Sequence, residues 1–410
     1  MKRGKENMNL LMNGTNEGLV RDTGRVTKLA IGGISSNYKI YQVRLDCLYY
    51  NDQNDRIATW ISQYKEENRA DGFDKSNLEE YNNVIQKFIE ESNPDRMHTT
   101  QSNIEMIGQQ NSGVILSDGR IIDGNRRFSC LRNLSKKDAK FNWFETVILN
   151  ENYENNAKQI KMLELQIQIG TDTRVDYNPI DKLVGLYRDI EENKLLTVEE
   201  YARSTNTKVA EVNKQLAISK LMVEYLESIN AAGKYYLARE MNLNGPLVEL
   251  YGCLNKIKDE NTREDMKLIA FTNITAEPDG DITRFVRKFK DIVGTKYEKE
   301  FVEKEMPVVE KVIDSLSKEE KVTSDTIANI RQDENVKEEL VNTMEVVHHK
   351  VKATDAINKP VENLKKTIGL LEEIDDYIIR KQTDEQKENT KEYISRIEEL
   401  LANLKEALNV

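Results

Sequence analysis

The spacing of apolar residues divides this chain into a mixed N-terminal part and a helical remainder. Apolar positions at helical spacing predict helices within residues 57–64 and 78–89. Two short apolar runs, residues 114–116 and 121–122, predict strands instead. After about residue 225 the composition is almost entirely that of helices. We therefore expect an α/β (α+β) domain first and all-α structure after it.

The helical remainder contains several breaks and ends in a long apolar stripe. Breaks are expected at Pro246, residues 275–281 and Pro307. Thr383 and Gln386 form the pattern of a capping box, so a helix is expected to begin there. The stripe predicts two helices of about 25 residues each, which either fold back as an antiparallel hairpin or pair between chains. It consists of Leu364, Ile368, Leu371, Ile374, Ile378, Ile394, Ile397, Leu401, Leu404 and Leu408.

The most informative chemistry lies in residues 118–132, with the sequence DGRIIDGNRRFSCLR. This segment predicts a turn at Asp118, a short strand, a second turn at Gly124, and then Arg126 and Arg127 in the first turn of a helix. Such a helix start leaves backbone N–H groups unpaired, and two arginines beside them favour a phosphate. The same residues also fit a plain hairpin followed by a solvated helix face.

A second pattern, further along the chain, has the spacing of a helix-turn-helix. Thr197 and Glu200 form a capping box, so a helix is expected to begin there. Ala202 is small enough for a close helix crossing, and Asn206 tolerates the positive φ of a tight turn. Val212 is then expected to pack the second helix against the first.

The second helix of this pattern is a candidate recognition helix, covering about residues 208–216. Its polar side chains would contact phosphates and base edges of double-stranded DNA. The same spacing also occurs in plain helical hairpins that bind nothing. The candidate DNA-binding residues are Lys208, Asn213, Lys214 and Gln215.

Charge limits the kind of DNA contact that this chain can make. Its 410 residues suffice for two or three domains with ordinary cores. The formal net charge of −11 argues against nonspecific coating of nucleic acid, because counterion release requires a positive footprint. Any DNA contact is therefore expected to be local.

Few residues are suited to disulfides or metal sites. Cys47, Cys130 and Cys253 lie far apart without a CxxC pair, which argues against a disulfide framework and a zinc site. Cys130 is expected to be a core thiol inside a helix. With only 3 histidines, a metal site built from a histidine cluster is not expected. No run of about 18 apolar residues occurs, so we expect a soluble, cytoplasmic protein without membrane contact.

The segment around Gly124 resembles the GERR signature of the ParB family, with Asn125 in place of the usual glutamate. Residues 41–56, YQVRLDCLYYNDQNDR, resemble the opening strand and loop of that family. Residues 170–183, GTDTRVDYNPIDKL, resemble its third sequence box, and the helix-turn-helix pattern follows in the family's order. The matching positions of the third box are Arg174, Asp176, Asn178 and Pro179.

The resemblance implies a fold and a ligand. It implies a ParB/sulfiredoxin-like N-terminal domain that holds the triphosphate of CTP, or of another NTP, with Mg²⁺, followed by a ParB-type helix-turn-helix. No metal-ligating residue is predicted. The nucleotide-binding residues that it implies are Gly124, Asn125, Arg126, Arg127, Thr173 and Arg174.

The third box also departs from the family. Gly170 and Thr171 replace an acid and an amide that help to hold metal and triphosphate, and Thr173 replaces a glutamine. These departures argue against efficient hydrolysis, so an NTPase activity is expected to be weak or absent and no catalytic residue is predicted. The polar residues Glu164, Gln166 and Gln168 lie one or two helical turns upstream and are candidates to compensate.

The resemblance implies a nucleotide-gated DNA-binding protein that acts as a dimeric clamp or site-specific switch, with a partner ATPase as a further candidate partner. An alternative is an enzyme with the sulfiredoxin-like fold, either a nuclease or an NTP-using phosphotransferase. A further alternative is a regulator in a DNA-modification or phage-defence system. The predicted segments are a flexible arm (1–35), the nucleotide-binding domain (36–175), the helix-turn-helix domain (176–245), a helical domain (246–355) and a C-terminal hairpin or coiled coil (356–410).

Overall fold

The N-terminal part of the chain folds around a mixed β-sheet. The computed structural model describes residues 9–31, 34–69, 72–149, 157–170, 178–319 and 321–409. Within these residues the sheet has five strands in the order β1-β2-β5-β3-β4. β3 and β5 are parallel, and the other neighbours are antiparallel. The strands are β1 (Val20–Ile31), β2 (Ile34–Arg44), β3 (Gly113–Leu116), β4 (Ile121–Asp123) and β5 (Trp143–Leu149).

β1 forms one edge of the sheet, where the sequence predicted a flexible arm. Val20 of β1 lies opposite Val43 of β2, and pairing continues along both strands. The prediction of an arm over residues 1–35 is therefore wrong for β1. Most β1 side chains are exposed, so the strand depends on backbone pairing with β2 and carries little hydrophobic signal. Residues 1–8 lie outside the described residues.

Helices flank the sheet and bury its apolar side chains. The predicted helices at residues 57–64 and 78–89 are confirmed, and a further helix, Pro94–Ile107, lies between them and β3. Asn93 caps that helix by accepting a hydrogen bond from the amide of Arg96 at 3.1 Å, and proline is tolerated at its first position. These helices are α1 (Ala58–Asn68), α2 (Leu78–Ser92), α3 (Pro94–Ile107), α4 (Asn125–Ser135) and α5 (Ala157–Gly170).

The predicted helix-turn-helix is confirmed as local structure. Thr197 and Glu200 form the expected capping box, with hydrogen bonds of 3.2 and 3.0 Å. Asn206 has a φ of 47°, and Ala202 and Val212 are buried at the helix crossing. The second helix continues well beyond residue 216, so the predicted recognition helix was too short. The helices of this region are α6 (Pro179–Tyr187), α7 (Val198–Ser204) and α8 (Val209–Ser228).

Helices α9 to α15 complete the first part of the helical remainder. The predicted break at residues 275–281 is confirmed, because one helix ends at Ala276 and the next begins at Ile282. The predicted break at Pro307 is wrong, because this proline lies inside α14 next to the buried Val308. The apolar packing of that helix outweighs the backbone hydrogen bond that proline removes. The helices are α9 (Tyr235–Glu240), α10 (Asn244–Leu254), α11 (Glu260–Ala276), α12 (Ile282–Arg287), α13 (Phe289–Ile292), α14 (Glu298–Ser317) and α15 (Ser324–Ile330).

The chain forms two compact units, Met1–Met344 and Glu345–Val410. The last helices are α16 (Glu334–Glu372), α17 (Asp376–Arg380) and α18 (Asp384–Leu408). α16 has 39 residues and ends at Glu372, so the first predicted helix was too short and was wrongly extended through Ile378, which lies in α17; α18 has the expected 25 residues. The capping box of Thr383 and Gln386 is confirmed.

The apolar stripe of the C-terminal unit is exposed within a single chain. Ile368 retains 55% of its accessible surface and Leu404 retains 45%, and α18 has no buried residue. An intrachain hairpin that buries this stripe is therefore not formed among the described residues. None of the described helices is long and apolar enough to cross a membrane.

Candidate phosphate-binding and DNA-binding sites

The segment between β3 and α4 has the predicted conformation. The amide of Gly119 donates to the carbonyl of Leu116 at 3.0 Å, which closes the first turn. Gly119 has a φ of 91°, and a Cβ at this position would lie 2.2 Å from the carbonyl oxygen of Cys47. The residue must therefore be glycine for two reasons, its backbone conformation and its close approach to the chain before α1.

Gly124 is the N-cap of α4, with a φ of 100°. A Cβ at this position would lie 2.8 Å from the ring of Phe144 and 3.1 Å from Nη2 of Arg127. Gly124 has no side chain to cap the first amides of α4, and no side-chain hydrogen bond to them occurs among the described residues. Because the first turn of a helix has no intrahelical acceptors for its N–H groups, these amides are available to an anion.

Arg127 is held in place at the helix start. Its Nη2 donates to Oδ2 of Asp123 at 2.7 Å and to the carbonyl of Ser112 at 3.4 Å. The ion pair offsets much of its charge but fixes the guanidinium next to the β4–α4 turn. The predicted place of Arg127 at the mouth of the helix is confirmed.

Arg126 differs from Arg127 in having no ion pair among the described residues, whereas the Nε atoms of both are buried there without a hydrogen-bond partner. The side chain of Arg126 is half-buried. Burial lowers the pKa of Arg126, because it disfavours the charged form. The positive charges of Arg56, Arg96 and Arg127 lower this pKa further, and no carboxylate is among the causes of the shift.

The four residues Arg56, Arg96, Arg126 and Arg127 are called the arginine site below. The sequence pattern indicated Arg126 and Arg127 but not Arg56 and Arg96. Arg56 lies in the ParB-like segment 41–56, so its charge could have been recognised there. Arg96 had no such signal, because only the packing of α3 brings it to this place. Four like charges on a partly buried surface favour binding of a polyanion.

Asn125 is the first residue of α4, and its Oδ1 is buried without a hydrogen-bond partner in the described part of the chain. A neutral amide at this position adds no negative charge beside Arg126. An amide here therefore leaves the local charge more positive than a carboxylate would, and a more positive charge favours anion binding.

In the third sequence box, residues 170–183, most of the positions that the sequence assigned to nucleotide binding lie outside the described residues. These positions are Thr171, Thr173, Arg174 and Asp176. Asn178 is described, and its side chain caps α6 by accepting a hydrogen bond from the amide of Ile180 at 2.9 Å.

A buried ionic cluster includes Asp55, the residue that directly precedes Arg56 of the arginine site. Lys161 of α5 contacts Asp55 at 2.7 Å, Asp189 at 3.4 Å and Glu164 at 3.8 Å. These four residues are called the Lys161 cluster. Arg56 follows Asp55 directly, and its charge acts on Glu164 as well as on Arg126. Sequence analysis missed this cluster, because its members come from three segments far apart in the chain.

Two carboxyl groups of the Lys161 cluster, those of Glu164 and Asp189, hold protons more tightly than usual. Burial raises the pKa of Glu164 to about 8, and Lys161 opposes this shift. Burial also raises the pKa of Asp189 to about 7, and the negative charge of Asp55 adds to the increase. Burial lowers the pKa of Lys161, but the three carboxylates outweigh it and raise that pKa well above its ordinary value.

The residues present do not suggest a metal site. Within the described residues, no group of three or more His, Cys, Asp or Glu side chains is arranged to hold a metal ion. The carboxylates of the Lys161 cluster surround an ammonium group, which occupies the centre of that donor set. Glu164 is thus paired with Lys161.

Cys130 is a buried thiol, as expected. Its side chain is 0% exposed, and its Sγ lies 3.8 Å from the carbonyl oxygen of Met97. Burial raises the pKa of this thiol to about 12. A thiol with so high a pKa is a poor nucleophile at neutral pH, so Cys130 contributes packing between α3 and α4.

The candidate DNA-binding residues lie at the start of α8. Lys208 occupies the N-cap position, and Asn213 and Lys214 are exposed. Gln215 is half-buried and donates to Glu211 at 3.1 Å, so it is held on the helix surface. The start of α8 therefore exposes two lysines, Lys208 and Lys214, beside the acidic Glu211.

No protein-family model matches this chain, and no curated protein matches it.

Proposed function

We propose that this chain is a DNA-binding protein regulated by a nucleoside triphosphate, with the phosphates bound at the arginine site and DNA bound by α8. The observation that carries the proposal is the half-buried Arg126, which has cationic neighbours and a buried Nε without a partner in the described structure. Removing an arginine from water without a paired anion is unfavourable, so a bound polyanion would stabilise this arrangement. CTP is the nucleotide that the resemblance to ParB implies.

Each residue at the start of α4 would make a different contribution to phosphate binding. Gly124 lets the backbone approach the ligand, and the first amides of α4 donate hydrogen bonds to it. Arg126 supplies charge, and Arg127 supplies a donor whose position is fixed by Asp123. Arg174 belongs to this proposal as the residue that closes the pocket from the opposite side.

The test of nucleotide binding is calorimetry of the full chain with CTP, ATP and GTP. We expect the wild type to bind a triphosphate and Arg126→Ala to bind it about tenfold to a hundredfold more weakly, because a charge-assisted contact is lost. Lys136→Ala removes an exposed charge just past the other end of α4 and is the matched control. Absence of binding to all three nucleotides by the folded wild type would overturn the proposal.

The nucleotide is proposed to regulate DNA binding. It would do so by binding one of two conformations more tightly, which is the requirement for any ligand-driven change. The fluorescence anisotropy of a labelled double-stranded DNA, titrated with and without nucleotide, measures this coupling. Equal DNA affinities in both titrations would show that the two sites are independent.

We also propose that the chain forms a homodimer through its C-terminal stripe. The exposed apolar residues of α16 and α18 support this step, since a single chain leaves them in water. Light scattering of the full chain at micromolar concentration, with nucleotide and DNA present, tests it. A monomeric mass under those conditions contradicts the dimer without affecting the nucleotide site.

A further inference from the structure

α3 and α4 lie side by side and run in the same direction. Sγ of Cys130 in α4 lies 3.7 Å from Sδ of Met97 in α3. About one turn further along both helices, Nδ2 of Asn133 donates to Oε1 of Gln101 at 3.4 Å. Both contacts advance together, so the helices are parallel and their first turns are neighbours. The first turn of α3 therefore lies beside the first turn of α4.

This packing determines where Arg96 lies. Arg96 precedes Met97, and Arg126 lies one turn before Cys130, so both arginines project from the same end of the helix pair. Arg96 is exposed, and its positive charge helps to lower the pKa of Arg126. Asp95 is also exposed in the first turn of α3, but no ion pair joins it to Arg96 within the described structure.

The charges of the arginine site are unequally compensated. Arg127 is paired with Asp123, and Arg56 also acts on the buried Glu164. Arg96 and Arg126 have no carboxylate partner among the described residues. These two guanidinium groups start from different helices, whose axes typically lie about 8–10 Å apart when packed. A ligand that contacts both must carry more than one negative charge, and a triphosphate offers such charges over a longer span than a monophosphate.

We infer that Arg96 binds the terminal phosphates of the ligand and makes the arginine site selective for a triphosphate over a monophosphate. This inference rests on the proposed function. Arg126 and the first amides of α4 hold the phosphate nearest the helix start. Arg96 is reached only by a chain of phosphates that extends across to α3. A nucleoside monophosphate would contact α4 and leave Arg96 in water.

The test compares CTP, CMP and inorganic triphosphate by calorimetry on the full chain, using wild type, Arg96→Gln and Arg126→Ala. We expect the wild type to prefer CTP to CMP. Arg96→Gln should weaken CTP and inorganic triphosphate about tenfold while leaving CMP within about twofold, because only the distal contact is lost. Arg126→Ala should weaken all three ligands.

Two further variants separate local contact from general charge. Lys87→Gln removes an exposed charge on the neighbouring α2 and should leave all affinities unchanged. Arg96→Lys keeps the charge and should recover part of the preference for CTP. Thermal unfolding of each variant checks that α3 and α4 remain packed.

The outcomes distinguish the two proposals. If the wild type binds none of the three ligands, the proposed function fails and the role of Arg96 fails with it. If Arg126→Ala weakens binding and Arg96→Gln keeps the wild-type ratio of CTP to CMP affinity, only the role of Arg96 is overturned. Equal loss of CTP and CMP in Arg96→Gln also overturns it, since that result indicates a structural effect on α4.

Discussion

Nζ of Lys161 donates a hydrogen bond to Oδ1 of Asp55 at 2.7 Å, and both side chains are almost completely removed from water. This contact joins α5 to the segment before α1. Asp189, which follows α6, contacts the same ammonium at 3.4 Å. A single lysine thus connects the α/β part of the chain to the beginning of its helical part.

Replacing Lys161 with Met should strongly destabilise the first unit. The substitution leaves three buried carboxyl groups without their common cation, and breaking a buried pair in this way typically costs about 3–5 kcal/mol. Urea unfolding followed by circular dichroism measures the change. Lys158→Met is the control, because Lys158 is 47% exposed and pairs with Glu200 on the surface. Equal effects of the two variants would show that the cluster is not structurally important.

Stability should fall as pH rises through the neutral range. The pKa of Glu164 is raised from 4.5 to about 8 and that of Asp189 from 3.8 to about 7, so the folded state binds more protons than the unfolded state between those values. The stability from the bound protons is present at low pH and lost as pH rises through the folded-state pKa values. Urea midpoints from pH 5 to pH 9 measure this loss.

Glu164→Gln should flatten that pH dependence. The amide is neutral at every pH, so the variant should gain stability relative to wild type by up to about 1.4 kcal/mol per pH unit as pH rises from about 5 to the folded-state pKa of about 8, and the gain should level off above it. The difference should be smallest near pH 5, because that pH is close to the unfolded-state pKa of 4.5. Glu192→Gln, at a position 51% exposed, is the control. A constant difference across the range would contradict proton binding by Glu164.

Gly124→Ala should destabilise the β4–α4 turn and weaken phosphate binding. Any side chain at a φ of 100° is strained, at a cost of about 1–2 kcal/mol, and the new Cβ meets Phe144 and Arg127 as well. Chemical denaturation and calorimetry with CTP measure the two effects. Gly280→Ala is the control, since nothing lies within 4 Å of a Cβ there. A variant as stable as wild type would show that the turn adapts to alanine.

Lys214→Gln should weaken DNA binding and reduce its salt dependence. If Lys214 contacts a phosphate, the slope of log affinity against log salt should decrease in magnitude by about 1. Anisotropy titrations at several salt concentrations measure the slope. Lys220→Gln is the control on the same helix, because Lys220 is already paired with Glu191 at 2.8 Å. An unchanged slope for Lys214→Gln would place DNA elsewhere.

Local structure was predictable wherever its causes are local. The turn at Asp118, the helix start at Gly124 and the capping boxes of Thr197 and Thr383 were all confirmed. Each depends on a few residues that satisfy one another's backbone groups or adopt a special φ. The same reasoning failed at Pro307, where the packing of a whole helix outweighs one residue's preference.

By itself the sequence determined an α/β beginning, a helical remainder, a glycine turn at the start of a helix and a helix-turn-helix, because residue spacing and turn chemistry act within a few positions. Only the tertiary structure decided that β1 completes the sheet, that the charge of Arg96 acts on Arg126, and that Asp55 and Asp189 share Lys161. These pairs are separated by up to 134 residues, taking Asp189 minus Asp55. Such contacts depend on how helices and strands pack, and no local pattern encodes them.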